Sequence, residues 1–540
     1  MKKKIFALLL AVLMLVPFIV ACGDTNTDTN TNTNTNSGTP GTGDTSDTSK
    51  PTDTSTGNKP VVEKVDTKTD KSQKWSGQTL DCIAAGWGQD GAVAGAWSQP
   101  ELYVKEYDQQ GNLGTTVNNA VWARANQIKQ IYGVTMVWHK AQSNSSMQNE
   151  LQTGLEAGAA KFHIATPRGY ETQALIAADT VYDLANSKYI DLTKSYYNQS
   201  AVDSYSVYGH TFFVGGDFSY LDEYTSFVIF YNQAVSEDFA AFGNLYNKVR
   251  KGEWTISELS KKAALIGETG DNNGTPGWQD DDTYGFGTNG MTGFFQASGI
   301  KQVSVDKSSN DPSQYKYHIT LNSDPTKVST LVTAIANIKD SKWARTSWDG
   351  SHGGMLASFQ AGRLLFYDEV VQKIFEFKEQ SEDFKVAVLP MPKLNEDQTN
   401  YYTPFASQAT VMCIPKATLD KEMSEYFFDV LSWTGQEFVM EAFYYEMESR
   451  LYDDGESSRE DALEILREYV LPNLIYDLGY ISTGMSGKFL THVQSDTIDQ
   501  ATPSTSPFTN LYTEAFPDAN ALLSNDRGTG WNDYAQKYKD

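Results

Sequence analysis

The chain has 540 residues, of which 68 are acidic and 43 basic, giving a formal net charge of −25. That balance argues against nucleic acid as a partner, since nucleic acids select basic faces, and against strongly anionic ligands unless a local basic site overrides the field. Three cysteines are too few for a disulfide framework. Cys82 and Cys413 lie inside the apolar runs "LDCIAA" and "VMCIP", which predicts two buried free thiols.

At the start of the chain, Lys2 to Lys4 precede an apolar stretch from Ile5 to Ala21. This is the charged and apolar pattern of a secretory signal, and it falls short of the about 20 residues that span a bilayer. Residues 1–21 are therefore expected to be a signal peptide. The four residues Ile19-Val20-Ala21-Cys22 resemble the lipobox of bacterial lipoproteins, which implies cleavage before Cys22 and lipidation of its thiol. From Gly23 to Pro60 there is no aliphatic or aromatic side chain, so this stretch cannot bury enough surface to offset the entropy of ordering. Residues 22–75 read as a lipidated cysteine and a Thr/Asn/Asp/Ser-rich tether. A flexible coil of about 36 residues spans roughly 30–36 Å.

Beyond the tether, hydrophobic periodicity becomes regular over a length that suits two or three domains or one two-lobed body. Residues 79–86, "TLDCIAAG", read as a buried first strand. "TVNNAVWARANQIKQIYG" repeats Val117, Val121, Ile128 and Ile131 at helical spacing, with Gly133 as its stop. "VTMVWHKA" alternates as a strand. "SSMQNELQTGLEAG" places Met147, Leu151 and Leu155 on one helical face, and "KFHIATPR" is the next strand. This order predicts βαβ units and a largely parallel sheet, hence an α/β fold. In such sheets ligands sit beyond the carboxyl ends of the strands, which makes Trp87, Arg168 and Tyr170 candidate ligand residues.

Farther along, "VYGHTFFVGGD" reads as a hairpin, and "TSFVIFYNQAVSEDF" as a strand running into a helix capped by Asn232. "GEWTISELSKKAALI" has Thr255 and Glu258 at capping-box spacing, with Trp254 placed to pack as a hydrophobic staple. "FQAGRLLFYDEVV" and "FKVAVLPMPK" read as short strands or strand–helix junctions. "ATVMCIPKATLDKEMSEYFFDVLSWTGQEFV" reads as a strand followed by an amphipathic helix. The last hundred residues read as mainly helical, with a second capping box at Ser457 and Glu460.

Four stretches in order, "YNQAVSEDF…KVRKGEWTISELSKKA", "FQAGRLLFY", "FKVAVLPMPK" and "ATVMCIPKATLDKEMSEYFFDVLSW", resemble the carbohydrate-type extracellular solute-binding proteins of bacterial ABC importers, the Gram-positive lipoprotein members above all. Two further stretches, "GTTVNNAVWARANQIKQIYGVTM" near the start and "FYYEMESRLYDDGESSREDALEIL" near the end, are similar to a large-bodied subgroup. The resemblance covers residues 77 to 535. It implies a two-lobed periplasmic-binding-protein-like fold with hinge-crossing strands, lobe one taking 77–187 plus 388–450 and lobe two 188–387 plus 451–540. "VAVLPMP" is then expected to be the crossing strand. The resemblance also implies a monomer that holds a carbohydrate in the interlobe cleft and passes it to permease subunits. The protein would work without catalysis at the outer face of the cytoplasmic membrane. Family position adds Asp217, Tyr220, Tyr367 and Asp368 as cleft walls, and Phe405 and Gln408 after the crossing. Thirty Tyr, 26 Phe and 11 Trp supply flat faces of the kind that stack on sugar rings.

No cofactor is required by this reading. The loop "DNNGTPGWQDDD" nevertheless resembles EF-hand calcium loops, with Asp271, Asn273, Thr275, Asp281 and Asp282 as candidate oxygen ligands. Thr275 and Pro276 depart from that pattern, and a solvated turn is the alternative. For enzyme classes the signals are thin. The six histidines make no pair at i, i+4 for zinc, and no Gly-x-Ser-x-Gly elbow occurs. Ser298-Gly299-Ile300-Lys301 lacks the companions of a Ser-x-x-Lys nucleophile. A surface glycosidase and a sensor or adhesion lipoprotein without transport are the remaining alternatives.

Overall fold

A computed structural model of the protein describes residues 63–85, 116–141, 147–207, 209–237, 242–267, 282–288, 292–301, 303–309, 311, 316–319, 325–345, 352–379, 381, 383–406, 409–451 and 458–476. By its contacts the chain divides into Met1–Pro60 and Val61–Asp540, and every described residue lies in the second unit. The expected signal peptide and Cys22 therefore lie outside the described residues, as do Trp87, Gln408, Ser457, Asp271, Asn273, Thr275 and Asp281. Among the described residues no helix is long and apolar enough to cross a membrane.

The first sheet holds β1 (Thr79–Ala84), β2 (Thr135–Lys140) and β3 (Ile164–Thr166), all parallel, in the order β2-β1-β3. Helices Thr116–Tyr132 and Met147–Glu156 make the two crossovers. The alternation along β1 sorts its side chains. Leu80, Cys82 and Ala84 join one core cluster, while Ile83 points into another. Cys82 and Cys413 are free, buried thiols, as expected.

Helix Lys421–Thr434 covers the first sheet. It starts where the Asp420 carboxylate accepts from the Met423 backbone N–H at 3.0 Å. Every residue from Met423 to Thr434 is buried, so beyond the exposed Lys421 and Glu422 this helix has no solvent face. The strap of residues 63–75 closes over it. Thr67, fully buried, donates to Asp429 at 2.6 Å, Trp433 Nε1 donates to Thr67 at 3.1 Å, and Trp75 stacks at a tilt on Tyr426 with centroids 5.0 Å apart. The far end of the expected tether is corrected here: residues 63–75 belong to the folded body, because Thr67 and Trp75 find buried partners that composition does not reveal.

A short hairpin follows, β4 (Ser206–Val207) with β5 (His210–Thr211). The second sheet is built from β6 (Phe227–Asn232), β7 (Tyr284–Thr288), β10 (Ala344–Arg345), β11 (Leu364–Val370) and β12 (Val386–Pro390), in the order β10-β7-β11-β6-β12. Between β7 and β10 the chain makes a separate hairpin of β8 (Val303–Asp306) and β9 (Lys316–Ile319). β10, β7 and β11 run parallel, and β6 lies antiparallel to both β11 and β12. Asn232 caps the short helix after β6, accepting from Ala234 N–H. Thr255 accepts from Glu258 N–H at 3.2 Å, giving the expected cap. Trp254 is fully buried, with its indole N–H donated to Pro390 O at 2.8 Å.

The segment "VAVLP" stays in the second sheet along its whole length, which corrects its expected role as the crossing strand. The crossing is made by antiparallel pairing of residues 212–227 with 403–406 and 409–415. Val214 bridges Met412 and Ala165 bridges Cys413 at the first sheet, while Ser226 bridges Phe405 next to β6. Tyr189, Ile190, Tyr196, Tyr197 and Val214 share a core cluster with Leu80 and Tyr426. Residues 189–197 and Val214 thus pack with the first sheet, and not with the second as the expected boundary at 188 implies, while Ala201, Tyr205, Phe212 and Phe213 join the cluster that also holds Ile229 and Phe230 of β6.

Candidate functional site

The crossing places one turn, Val214–Tyr220, between three elements. Its backbone requires glycine at 216, where φ is +137° and a Cβ would stand 2.4 Å from Tyr196 O. On the other side the helix of residues 421–448 passes through a π-helical stretch, Gly435–Met440. Gly435 lets that helix touch the turn, since a Cβ there would stand 2.1 Å from Asp217 O. Arg124, buried on helix Thr116–Tyr132, donates to Phe218 O at 2.8 Å. π-Bulges are frequent at functional sites because they re-aim side chains. Here the stretch aims Gln436 at Asp217, with Nε2 donating to Oδ2 at 2.6 Å.

Asp217 is half-buried. Burial pushes its carboxyl up to about 7; the Gln436 hydrogen bond works against that shift, and the charge of Asp222 adds to it. Next to it Tyr220 stacks on Phe443 with centroids 4.9 Å apart and planes within 10°. Tyr224 meets Phe375 at 5.5 Å, and Phe443 lies 5.9 Å from Tyr444. Tyr224, Phe375 and Tyr444 remain partly accessible. The structure therefore joins Asp217 and Tyr220 in one junction of carboxyl, amide and aromatic faces. Sequence reasoning missed Gln436, Tyr224, Phe375, Phe443 and Tyr444. The doublet in "FYYEMES" was a signal of aromatic surface, but nothing in it says which helix faces the crossing.

The other candidates lie as follows. Arg168 is fully buried after β3; its backbone N–H donates to Glu171 Oε2 at 2.9 Å, and its strand position bridges Thr410. Burial pushes the Glu171 carboxyl up to about 7. Tyr170 is half-buried beside it, its phenol raised first by burial and then by the charge of Glu171. On β11, Tyr367 is fully buried and donates to Glu369 Oε2 at 3.2 Å. Asp368 accepts from Thr288 Oγ1 at 3.0 Å, at the carboxyl ends of the parallel strands β7 and β11. Its second oxygen, Oδ1, has no hydrogen-bond partner, and burial pushes its carboxyl up to about 7. Phe405 packs its ring on Tyr476 at 4.5 Å within the crossing and is buried. Of the calcium-loop candidates only Asp282 is described, and it is buried. Among the described residues no three His, Cys, Asp or Glu side chains are grouped to hold a metal ion.

Flat apolar rings beside hydrogen-bonding carboxyl and amide groups can stack on the C–H face of a ring and satisfy its hydroxyls. Neither a family model nor a curated protein matches this chain. Solved structures do. The cyclic alpha-maltosyl-1,6-maltose binding protein from Arthrobacter globiformis is 14% identical and aligns over 83% of this chain and 99% of its own, with a TM-score of 0.52. An ABC substrate-binding protein from Listeria monocytogenes in complex with cycloalternan is 15% identical, over 82% and 99%, at 0.49. RafE from Streptococcus pneumoniae is 14% identical, over 83% and 99%, also at 0.49. At these identities the likeness is one of fold. The chain has the α/β, two-lobed periplasmic-binding-protein-like fold.

Proposed function

We propose that this protein is the carbohydrate-capturing solute-binding lipoprotein of a bacterial ABC importer. The observation that carries the reading is the junction at the crossing, where Asp217, held by Gln436, stands beside the Tyr220–Phe443 stack in a fold shared with sugar-binding proteins. The arrangement suits recognition without chemistry. The partly accessible rings of Tyr224, Phe375 and Tyr444, backed by the buried Tyr220–Phe443 stack, supply apolar faces that a pyranose covers, the carboxyl and amide groups exchange hydrogen bonds with its hydroxyls, and closure about the two crossing segments excludes water. Asp368 Oδ1, buried without a partner at the strand ends of the second sheet, adds a group able to bond a ligand hydroxyl on closure.

Cys22 is the proposed lipid attachment point, and the polar run after it the leash that keeps the body at the outer face of the cytoplasmic membrane of a Gram-positive type cell. The closed, loaded, monomeric form then docks on permease subunits, which release the sugar. The number of aromatic rings at the junction favours an oligosaccharide over a single ring. The 271–282 loop is the proposed place for a structural calcium ion. Calorimetric titration against mono- and oligosaccharides tests the ligand class, with Asp217→Ala as the variant in which binding should fail.

A further inference from the structure

The imidazole of His163 takes the place of a backbone carbonyl where β3 starts. The residue is 4% exposed and stands immediately ahead of Ile164. Its backbone N–H donates to Asp81 O at 2.7 Å, and the Asp81 N–H in turn donates to His163 Nδ1 at 3.0 Å. A backbone N–H only donates, so Nδ1 is the bare, accepting nitrogen and the ring is the neutral Nε2–H form. A proton on Nδ1 would set N–H against N–H and charge a buried ring, which breaks this link between β1 and β3.

The same short stretch is the root of the hinge. Thr418 Oγ1 donates to Phe162 O at 3.2 Å and the Leu419 N–H to the same oxygen at 3.3 Å, just before Asp420 caps helix Lys421–Thr434. Two residues beyond His163, Ala165 and Cys413 exchange N–H···O bonds of 2.9 Å each, and the Val411 N–H donates to Pro167 O at 3.0 Å. β3 thus fastens residues 409–415 of the second crossing segment to the first sheet. We propose that His163 is an acid-sensitive pin at the root of the hinge: neutral, it joins β3 to β1; protonated, it frees the start of β3 and loosens the crossing segment that β3 holds. This goes beyond the sugar-binding reading and stands whatever the ligand is.

Among the described residues, the charged groups that face the ring are Asp81 of β1 and Asp420 ahead of the covering helix. Asp420 already accepts from the Met423 N–H at 3.0 Å and from Trp75 Nε1 at 3.2 Å. His139 of β2 reaches the same Asp81, Nε2 to Oδ1 at 2.8 Å, and Thr79 Oγ1 donates to Asp81 Oδ2 at 2.9 Å. Burial holds His163 below the ordinary histidine value, against the charges of Asp81 and Asp420. Burial also acts to raise the Asp81 carboxyl, but the bonds from His139 and Thr79 prevail and hold it below its ordinary value, so it stays ionised at about pH 5. A base whose folded value lies below its unfolded one binds its proton less tightly in the folded state. Its contribution to stability is complete above the unfolded histidine value of about 6.5 and is lost as pH falls through the folded value. The raised carboxyl groups of Asp217, Glu171 and Asp368 titrate with the opposite sign, so local exchange isolates His163 where whole-protein melting does not.

Two readouts on the ligand-free protein test this. Nitrogen NMR of the side chain should show His163 as the Nε2–H tautomer, with Nδ1 unprotonated, near neutral pH. Amide exchange at Asp81, His163, Ala165 and Cys413, corrected for intrinsic rates, should lose about tenfold in protection between about pH 7.5 and about pH 5, the change that one unit of linked titration carries. His163→Asn, whose Oδ1 can accept from the Asp81 N–H in place of Nδ1 and cannot titrate, should keep its protection. Placing His139→Gln in both backgrounds removes the exposed histidine's titration and leaves an amide to donate to Asp81. If His163→Asn does not fold, the wild type decides alone: protection of the Asp81 amide should fall below about pH 6.5 and level off at the midpoint where the His163 ring titrates. A protonated Nδ1 at neutral pH, protection of the Asp81 amide that does not change over this range, or equal pH profiles in wild type and variant would overturn the pin.

Discussion

Gln436 Nε2 and Asp217 Oδ2 lie 2.6 Å apart across 219 residues of sequence, and this bond fastens the helix that covers the first sheet to the turn that opens the crossing. Asp217→Ala should weaken sugar binding at least about tenfold, or about 1.4 kcal/mol. Gln436→Ala should cost somewhat less, because it removes the orienting donor and leaves the carboxyl group in place. Both variants should melt within a few degrees of wild type, since Asp217 is half-buried and gives up an unfavourable desolvated charge. Calorimetry paired with thermal melts checks the split; a large loss of melting temperature with affinity intact would remove Asp217 from the site.

Gly435→Ala acts on the same contact through sterics. The added methyl would meet Asp217 O at 2.1 Å, a backbone atom that cannot step aside alone. The helix must move off the turn, at a cost of about 1–3 kcal/mol typical of overpacking. Stability and affinity should fall together, measured by denaturant unfolding and by titration. An unperturbed variant would mean that the close approach does not hold the site.

Burial raises Asp217, Glu171 and Asp368 to about 7. Each takes up a proton on folding, so each stabilises the fold below the unfolded carboxylate range and loses that contribution as pH rises toward and through 7. The melting temperature should decline from about pH 5 to about pH 8. Asp368→Asn, which keeps an oxygen for Thr288 and cannot ionise, should make the decline shallower. A melting temperature that rises over this range, or a steeper decline in the variant, contradicts the assignment.

Cys22→Ser tests the proposed anchor. In the producing cell the wild type should fractionate with membranes, and the variant should appear in the medium with its ligand affinity unchanged. Retention of the variant on the membrane would remove lipidation as the means of attachment.

The parts of the fold that sequence makes legible are those governed by local pattern. Val117, Val121 and Ile128 mark a helix because 3.6-residue spacing repeats, and Asn232 and Thr255 mark helix starts because short polar side chains satisfy free backbone N–H groups. Where partners are distant, the pattern misleads. "KEMSEYFFDVLSW" looks amphipathic, yet its polar residues are buried too: Ser187 donates to Glu425, while Thr67, Tyr196 and Tyr197 donate to Asp429. Thr67 carries no sequence mark of its own, although Val61, Val62 and Val65 just before it end the run without apolar side chains. "VAVLP" reads equally well as a crossing or as a strand of the second sheet, since an apolar run of five states burial but not which neighbour provides it. At the site, Asp217 and Tyr220 follow from family position, whereas Gln436 and Phe443 depend on a π-helical stretch that no periodicity predicts.

The central claim is that a carbohydrate binds at the junction of Asp217, Gln436 and the Tyr220–Phe443 stack. Isothermal titration of the wild type and Asp217→Ala with a graded series of neutral oligosaccharides tests it most directly. The account predicts saturable one-to-one binding of at least one sugar, lost or weakened at least about tenfold in the variant. No binding by any sugar while peptides or polyols bind, or sugar binding unchanged by Asp217→Ala, would contradict it.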